Sequence, residues 1–336
     1  SPPPDKPKVS YKFKAVGRLA KYFGGTASLR KAKFELGLFK ILVAIGVTRL
    51  KLKLPPKLAV AVCILQTWGE YKNRNHLLEM LSDYSSFWFN GEKLSVSWWL
   101  FDFKPEGAGL GILRGKQVGA SFRKRNTAVL MLGHRNSSIL VFEKGVVQNG
   151  FTSDYGFIAL VKRVHSRIPC YKLERLAETM IDAGYEPDAK ILRRLVLTDS
   201  PALQAKEVED ALASIKDVRN QFARDVGRWV NETLADYAVH IDEIVVGGGA
   251  ADYLKSAMEP LLNVPSVWDI QNLPVNIASE GVGTRLLDVY GMATFLRDKV
   301  DRLAIERQEQ QLYQQQKQQK LKQKQQQVDE EVAVGD

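Results

Sequence analysis

Histidine and cysteine are scarce in these 336 residues, with four of the first and two of the second. Cys63 and Cys170 lie far apart with no ligand-type spacing, which speaks against a disulfide framework and against a zinc motif. A reduced, cytoplasmic setting fits that usage. Long hydrophobic runs are missing too: stretches such as Leu58 to Leu65 are strand-sized and far too short to span a bilayer. No secretory signal peptide stands near Ser1. The glycine cluster at 247–249 is not a G-x-G-x-x-G fingerprint and no Walker-type lysine follows it, so Rossmann and P-loop readings are weak.

What is present is ordinary globular material, 45% hydrophobic and 26% charged, on a chain long enough for two domains. Its charge is uneven. The net value is +10, yet residues 1–60 alone hold 14 Lys/Arg against two acids, Asp5 and Glu35. Such a segment could meet nucleic acid, an acidic lipid surface or an acidic partner. It also fits a solvated face, because Lys12-Phe13-Lys14-Ala15-Val16 and Lys51-Leu52-Lys53-Leu54 alternate as half-buried strands do. The first residue is Ser, which leads us to expect a processed chain or one that starts partway into a longer protein.

Periodicity divides the chain. Residues 1–10, with Pro2-Pro3-Pro4, read as an extended lead-in. A helical apolar period covers 28–46, a buried strand 57–65, a helix 73–86 and an aromatic-rich strand 94–103. Strands at 128–132 and 138–143 around Gly133 to Ser137 predict a hairpin, and a helix follows near 157–166. The span 205–239 reads as largely helical, 274–278 as a short strand and 282–303 as a final helix. This alternation predicts an α/β protein with helices packed on sheets. Residues 308–327 include twelve glutamines with almost nothing apolar, a tract that cannot fold alone. We expect the 304–336 tail to be disordered or a frayed helix.

Three segments could carry chemistry. In Glu243-Ile244-Val245-Val246-Gly247-Gly248-Gly249-Ala250, a β-branched strand drives into three glycines and then a helix N-terminus. Main chain can approach a ligand closely there, and unpaired N–H groups face it. A tight strand-to-helix turn would need fewer glycines, so ligand approach is the better reading. The turn Gly133-His134-Arg135-Asn136 could grip phosphate through N–H groups and a guanidinium, although it also fits a surface hairpin whose polar residues serve the turn. Glu106, fixed behind Pro105 at a strand end, could orient a water or accept a proton; it equally suits a helix N-terminus favoured by the dipole.

The order of these parts resembles the actin-like ATPases, most closely the ParM/StbA plasmid-segregation branch. Val245 to Ala250 is similar to that family's adenosine motif, and Glu280 to Met292 to its C-terminal loop and helix. Pro105-Glu106 resembles the Pro-Glu that places a water-orienting carboxylate, Met131 to Ser138 the second phosphate loop, and Ala15-Val16-Gly17-Arg18-Leu19-Ala20 a segment after the first strands. The resemblance covers about 11–300. It implies an actin-like, ribonuclease H-like two-lobed α/β fold, with a partial first lobe at 11–126 and a second at 127–303. It further implies ATP or GTP between the lobes, with Glu106 catalytic, Gly133, His134, Arg135 and Asn136 on the phosphates, and Gly247, Gly248, Gly249 and Ala250 at the adenosine. Head-to-tail self-assembly into filaments, and a DNA-bound adaptor in plasmid or DNA segregation, are the implied partnerships.

Two departures temper this. No Asp-x-Gly loop precedes Val16, for which a truncated start is the simplest explanation. In the family the second loop begins with an aspartate that holds magnesium through water and ends with another; those positions are here Met131 and Ser138. Met131 cannot do that work, though Arg135 could neutralise phosphate charge instead. The expectation is therefore nucleotide binding ahead of efficient hydrolysis. The rival expectations are a catalytically inactive filament protein and a nucleic-acid-binding module built on the basic 1–60 region.

Overall fold

A computed structural model describes residues 33–168, 172–237, 239–269, 274 and 283–334. The expectations for 1–32 and for a strand at 275–278 lie outside these residues. Two sheets organise the rest. In the first, β1 (Lys57–Gln66) runs parallel to β3 (Glu92–Pro105), and β2 (Ser86–Phe89) lies antiparallel on the other side of β3. The β2–β3 turn is Asn90-Gly91, with φ of 49° and 81°, the left-handed pair that a two-residue hairpin requires. One face of this sheet is covered by α1 (Lys33–Leu52) and α3 (Arg74–Ser82), whose Leu38, Leu42, Leu77 and Leu81 enclose Phe103. Between β1 and α3 sits the short helix α2 (Trp68–Tyr71).

The second sheet has the order β6-β5-β4-β7-β8. Strands β4 (Asn126–Leu132), β5 (Ser137–Glu143) and β6 (Val146–Ser153) form an antiparallel meander. Strands β7 (Glu243–Gly247) and β8 (Ser266–Val267) add in parallel to β4. Alternation along β4 divides its side chains between two faces. Ala128, Leu130 and Leu132 enter the larger core, built with α5 (Phe157–His165), α6 (Leu173–Ala183), α8 (Pro201–Ala235) and α9 (Ala251–Met258). The short α7 (Ala189–Leu192) contributes Leu192 to it. Helix α8 begins with Pro201 behind Ser200, and Val208, Ala211, Ile215, Val218, Phe222, Val226 and Val230 make its buried stripe.

Val129, on the opposite face, joins the smaller core beneath α4 (Ala108–Val118) and α10 (Gly283–Val334). These two helices tie the halves together. Helix α4 continues directly from β3 of the first sheet and lies on the second. Helix α10 sets Leu287 and Met292 against the second sheet, then carries Lys299 to Asp102 of β3 at 2.8 Å. The helices touch backbone to backbone: a Cβ on Gly109 would fall 1.9 Å from the Asp288 carbonyl oxygen, and one on Gly291 2.1 Å from that of Gly109. Only glycine allows that approach. Beyond Leu303 α10 is exposed as far as Leu321, with Arg307 at 4.8 Å over Trp99 of β3.

Candidate functional site

The predicted site residues occupy the carboxyl ends of β3, β4 and β7, where open α/β sheets place their ligands. Glu106 directly follows β3, and its N–H donates to the Gln66 carbonyl at the end of β1 at 2.7 Å. Gly107 then turns through φ +97°, and a Cβ there would crowd Val129 at 3.1 Å and Met131 at 3.3 Å. The chain therefore presses its main chain onto the second sheet immediately after Glu106.

Asp288 of α10 fixes that turn. Its two carboxylate oxygens accept from the N–H groups of Gly107 at 2.9 Å and Gly109 at 2.8 Å. The side chain fills the N-terminal position of α4, where orphan donors and the helix dipole favour a carboxylate. Burial nevertheless pushes its pKa up to about 6, with nearby Glu106 pushing in the same direction against the lowering effect of the amides.

The glycine triplet divides by role. A Cβ on Gly247 would strike Leu110 at 2.7 Å, and Gly248 has φ +107° with its Cβ position 2.5 Å from the Leu132 carbonyl oxygen. Gly248 is demanded by the chain's own backbone, whereas Gly247 leaves room for the methyl groups of Leu110. Gly249 differs, since its nearest neighbour is the Arg285 side chain at 3.6 Å. The Ala250 N–H donates to the Leu132 carbonyl at 3.0 Å, which draws this turn against the root of the 133–136 loop.

That loop closes on itself, with the Gly133 N–H on the Asn136 carbonyl at 3.0 Å. The Gly133 and His134 carbonyls accept from Phe157 and Ile158 at 3.0 and 2.9 Å and so cap α5. The exposed His134 packs beside the Phe157 ring, and the desolvation there, then the charge of Arg285, holds its imidazole below the ordinary value. Arg135 points across to the first half and pairs with Glu70 of α2 at 3.2 Å. Met131 and Ser138 are direct cross-strand partners, and the Ser138 hydroxyl is buried with no hydrogen-bond partner.

The structure thus brings Gly107, Met131, Ala250 and the 133–136 loop into one neighbourhood through these contacts. Three residues of the site went unread in the sequence. Glu70 gives no local signal. Arg285 looks like any solvated arginine in a first helical turn. Asp288 was detectable as an acid inside the apolar run Leu286-Leu287-Asp288-Val289-Tyr290. The donor set does not suit magnesium, which prefers carboxylates and phosphates. Among the described residues, no group of three or more His, Cys, Asp and Glu side chains could hold a metal ion, and no helix is long and apolar enough to cross a membrane.

No family model and no curated protein matches this sequence. Solved structures do match in shape. The actin-like protein Alp7A superposes with a TM-score of 0.55 at 11% identity, over 84% of this chain and 79% of that one. Ta0583, an archaeal actin homolog, gives 0.51 at 12% identity over 77% and 74%. A non-polymerisable quadruple mutant of pCBH ParM gives 0.50 at 12% over 71% and 68%. The architecture of this chain, two lobes joined by the crossing of α4 and α10, is the actin-like fold.

Proposed function

We propose that this chain binds a purine nucleotide, ATP or GTP, between its lobes and self-associates head to tail into filaments. The observation that carries the reading is the convergence of Glu106, the 133–136 loop and the Gly249-Ala250 turn beside the α4–α10 crossing. Residues 11–126 and 127–303 act as the two lobes, with 304–336 a tail outside them. In the hydrolytic version Glu106 orients the attacking water, residues 133–136 meet the phosphates, and 247–250 receive the adenosine. Contacts that repeat without closing generate open polymers. A role in plasmid or DNA segregation through a DNA-bound adaptor completes the reading.

A second reading, a filament protein that does not hydrolyse nucleotide, is favoured by Met131 and Ser138. Purified chain incubated with ATP or GTP separates the possibilities. Calorimetry reads binding, pelleting and electron microscopy read polymer, and a phosphate assay reads turnover. Polymer without phosphate release selects the second reading. Absence of both nucleotide binding and polymer overturns the proposal.

A further inference from the structure

Resting on the nucleotide reading, we infer that this chain holds the phosphates of its nucleotide without a divalent cation, and that Arg285 supplies the counter-charge. Magnesium takes oxygen ligands in an octahedron, bound through carboxylates and phosphates with several waters kept. The two cross-strand positions beneath Gly107 offer the Met131 thioether and the Ser138 hydroxyl instead. A thioether does not bind a hard cation.

The surrounding acids are committed elsewhere. Both Asp288 oxygens accept main-chain N–H groups, Glu70 pairs with Arg135, and Asp252 accepts the Thr284 hydroxyl at 2.6 Å. The carboxylate near Glu106 is that of Asp288, whose two oxygens are already taken by these N–H groups.

Positive charge takes the place of the metal. Arg285 opens the first turn of α10, exposed, with its aliphatic stem along Gly249. Its charge also lowers the pKa of His134 in the 133–136 loop. Among the described residues no carboxylate pairs with it. A guanidinium presents a planar fork of donors matched to phosphate oxygens. The buried Ser138 hydroxyl, unpartnered within the protein, calls for a water or a ligand oxygen at the base of the same cleft.

Isothermal titration of the full chain with ATP, once in EDTA and once in excess magnesium, tests this. The expected result is the same Kd within about threefold in both. Binding seen only with magnesium overturns the inference and leaves the nucleotide reading standing. No binding in either buffer takes both down. Arg285→Gln, at an exposed position, should weaken ATP in EDTA by about tenfold to a hundredfold and by clearly more than it weakens adenosine. Equal ATP affinity of variant and wild type removes Arg285 from the site.

Discussion

The carboxylate of Asp288 grips the main-chain N–H of Gly107 at 2.9 Å, 181 residues earlier in the chain, and that of Gly109 as well. One side chain of the last helix therefore sets the start of α4 and the exit of the chain from β3. Glu106 lies between. Any motion of the lobes about the α4–α10 crossing must keep this clamp or break it.

Its protonation should be visible in stability. The carboxyl sits at about 6 in the fold against an ordinary 3.8, so between these values the native state binds the extra proton. Asp288 then contributes most to stability below about pH 4, and that contribution is lost as pH rises through 6. The size is on the order of 3 kcal/mol. Asp288→Asn cannot titrate. Denaturant unfolding of both proteins from pH 4 to 7 should show wild type losing stability relative to the variant as pH rises. A pH-independent difference between them would remove the effect.

The three glycines should separate experimentally. Gly248→Ala meets the Leu132 carbonyl and an unfavourable φ of +107°, and should cost about 1–3 kcal/mol. Gly249→Ala has room, so its unfolding midpoint should stay close to wild type. Its effect should fall on nucleotide affinity, because its methyl stands where main chain would approach the ligand. Equal destabilisation by both variants contradicts the division of roles.

Glu243, buried at the start of β7, accepts from Arg114 of α4 at 2.7 and 3.1 Å. Burial pushes its carboxyl up, but the Arg114 guanidinium outweighs this and holds it below the ordinary value, with help from Thr127 and Arg125. Arg114→Met leaves the carboxylate without its main partner and should cost about 3–5 kcal/mol at neutral pH. In wild type, the pair's contribution is present above the ordinary carboxylate pKa and fades as pH falls through the lowered one. Urea titrations at pH 7 and pH 4 should therefore find the variant closer to wild type at the lower pH.

Should the chain hydrolyse ATP, Glu106→Gln should slow phosphate release by roughly a hundredfold to ten-thousandfold with nucleotide affinity kept. Single-turnover phosphate release measures the first and calorimetry the second. Unchanged turnover would shift the water-orienting role away from Glu106.

Much of this was legible in sequence because it is local. The apolar run at 57–65, the aromatic-rich stretch at 94–103, the hairpin around 133–137 and the strand leading into Gly247 all became elements close to the expected bounds. The helix expected near 157–166 is α5, and that expected over 205–239 lies within α8 and its end. The site was less legible. The sequence suggested that three glycines in a row were there for a ligand, and the structure adds a backbone requirement at Gly248, whose Cβ position lies 2.5 Å from the Leu132 carbonyl oxygen. Arg135 had the chemistry of a phosphate ligand, and its pairing with Glu70, 65 residues earlier, could not be read from a local pattern.

The sequence by itself determined β1, β3, the β4–β5 hairpin, β7 and the helices α5 and α8, because hydrophobic pattern and turn chemistry act over a few residues. Tertiary structure alone decided the sheet order β6-β5-β4-β7-β8, the glycine contact between α4 and α10, and the partners of Asp288 and Arg135. Those depend on which surfaces can be buried together and which buried charges then find donors. Such choices are made by contacts between residues far apart in the chain, and no local pattern encodes them.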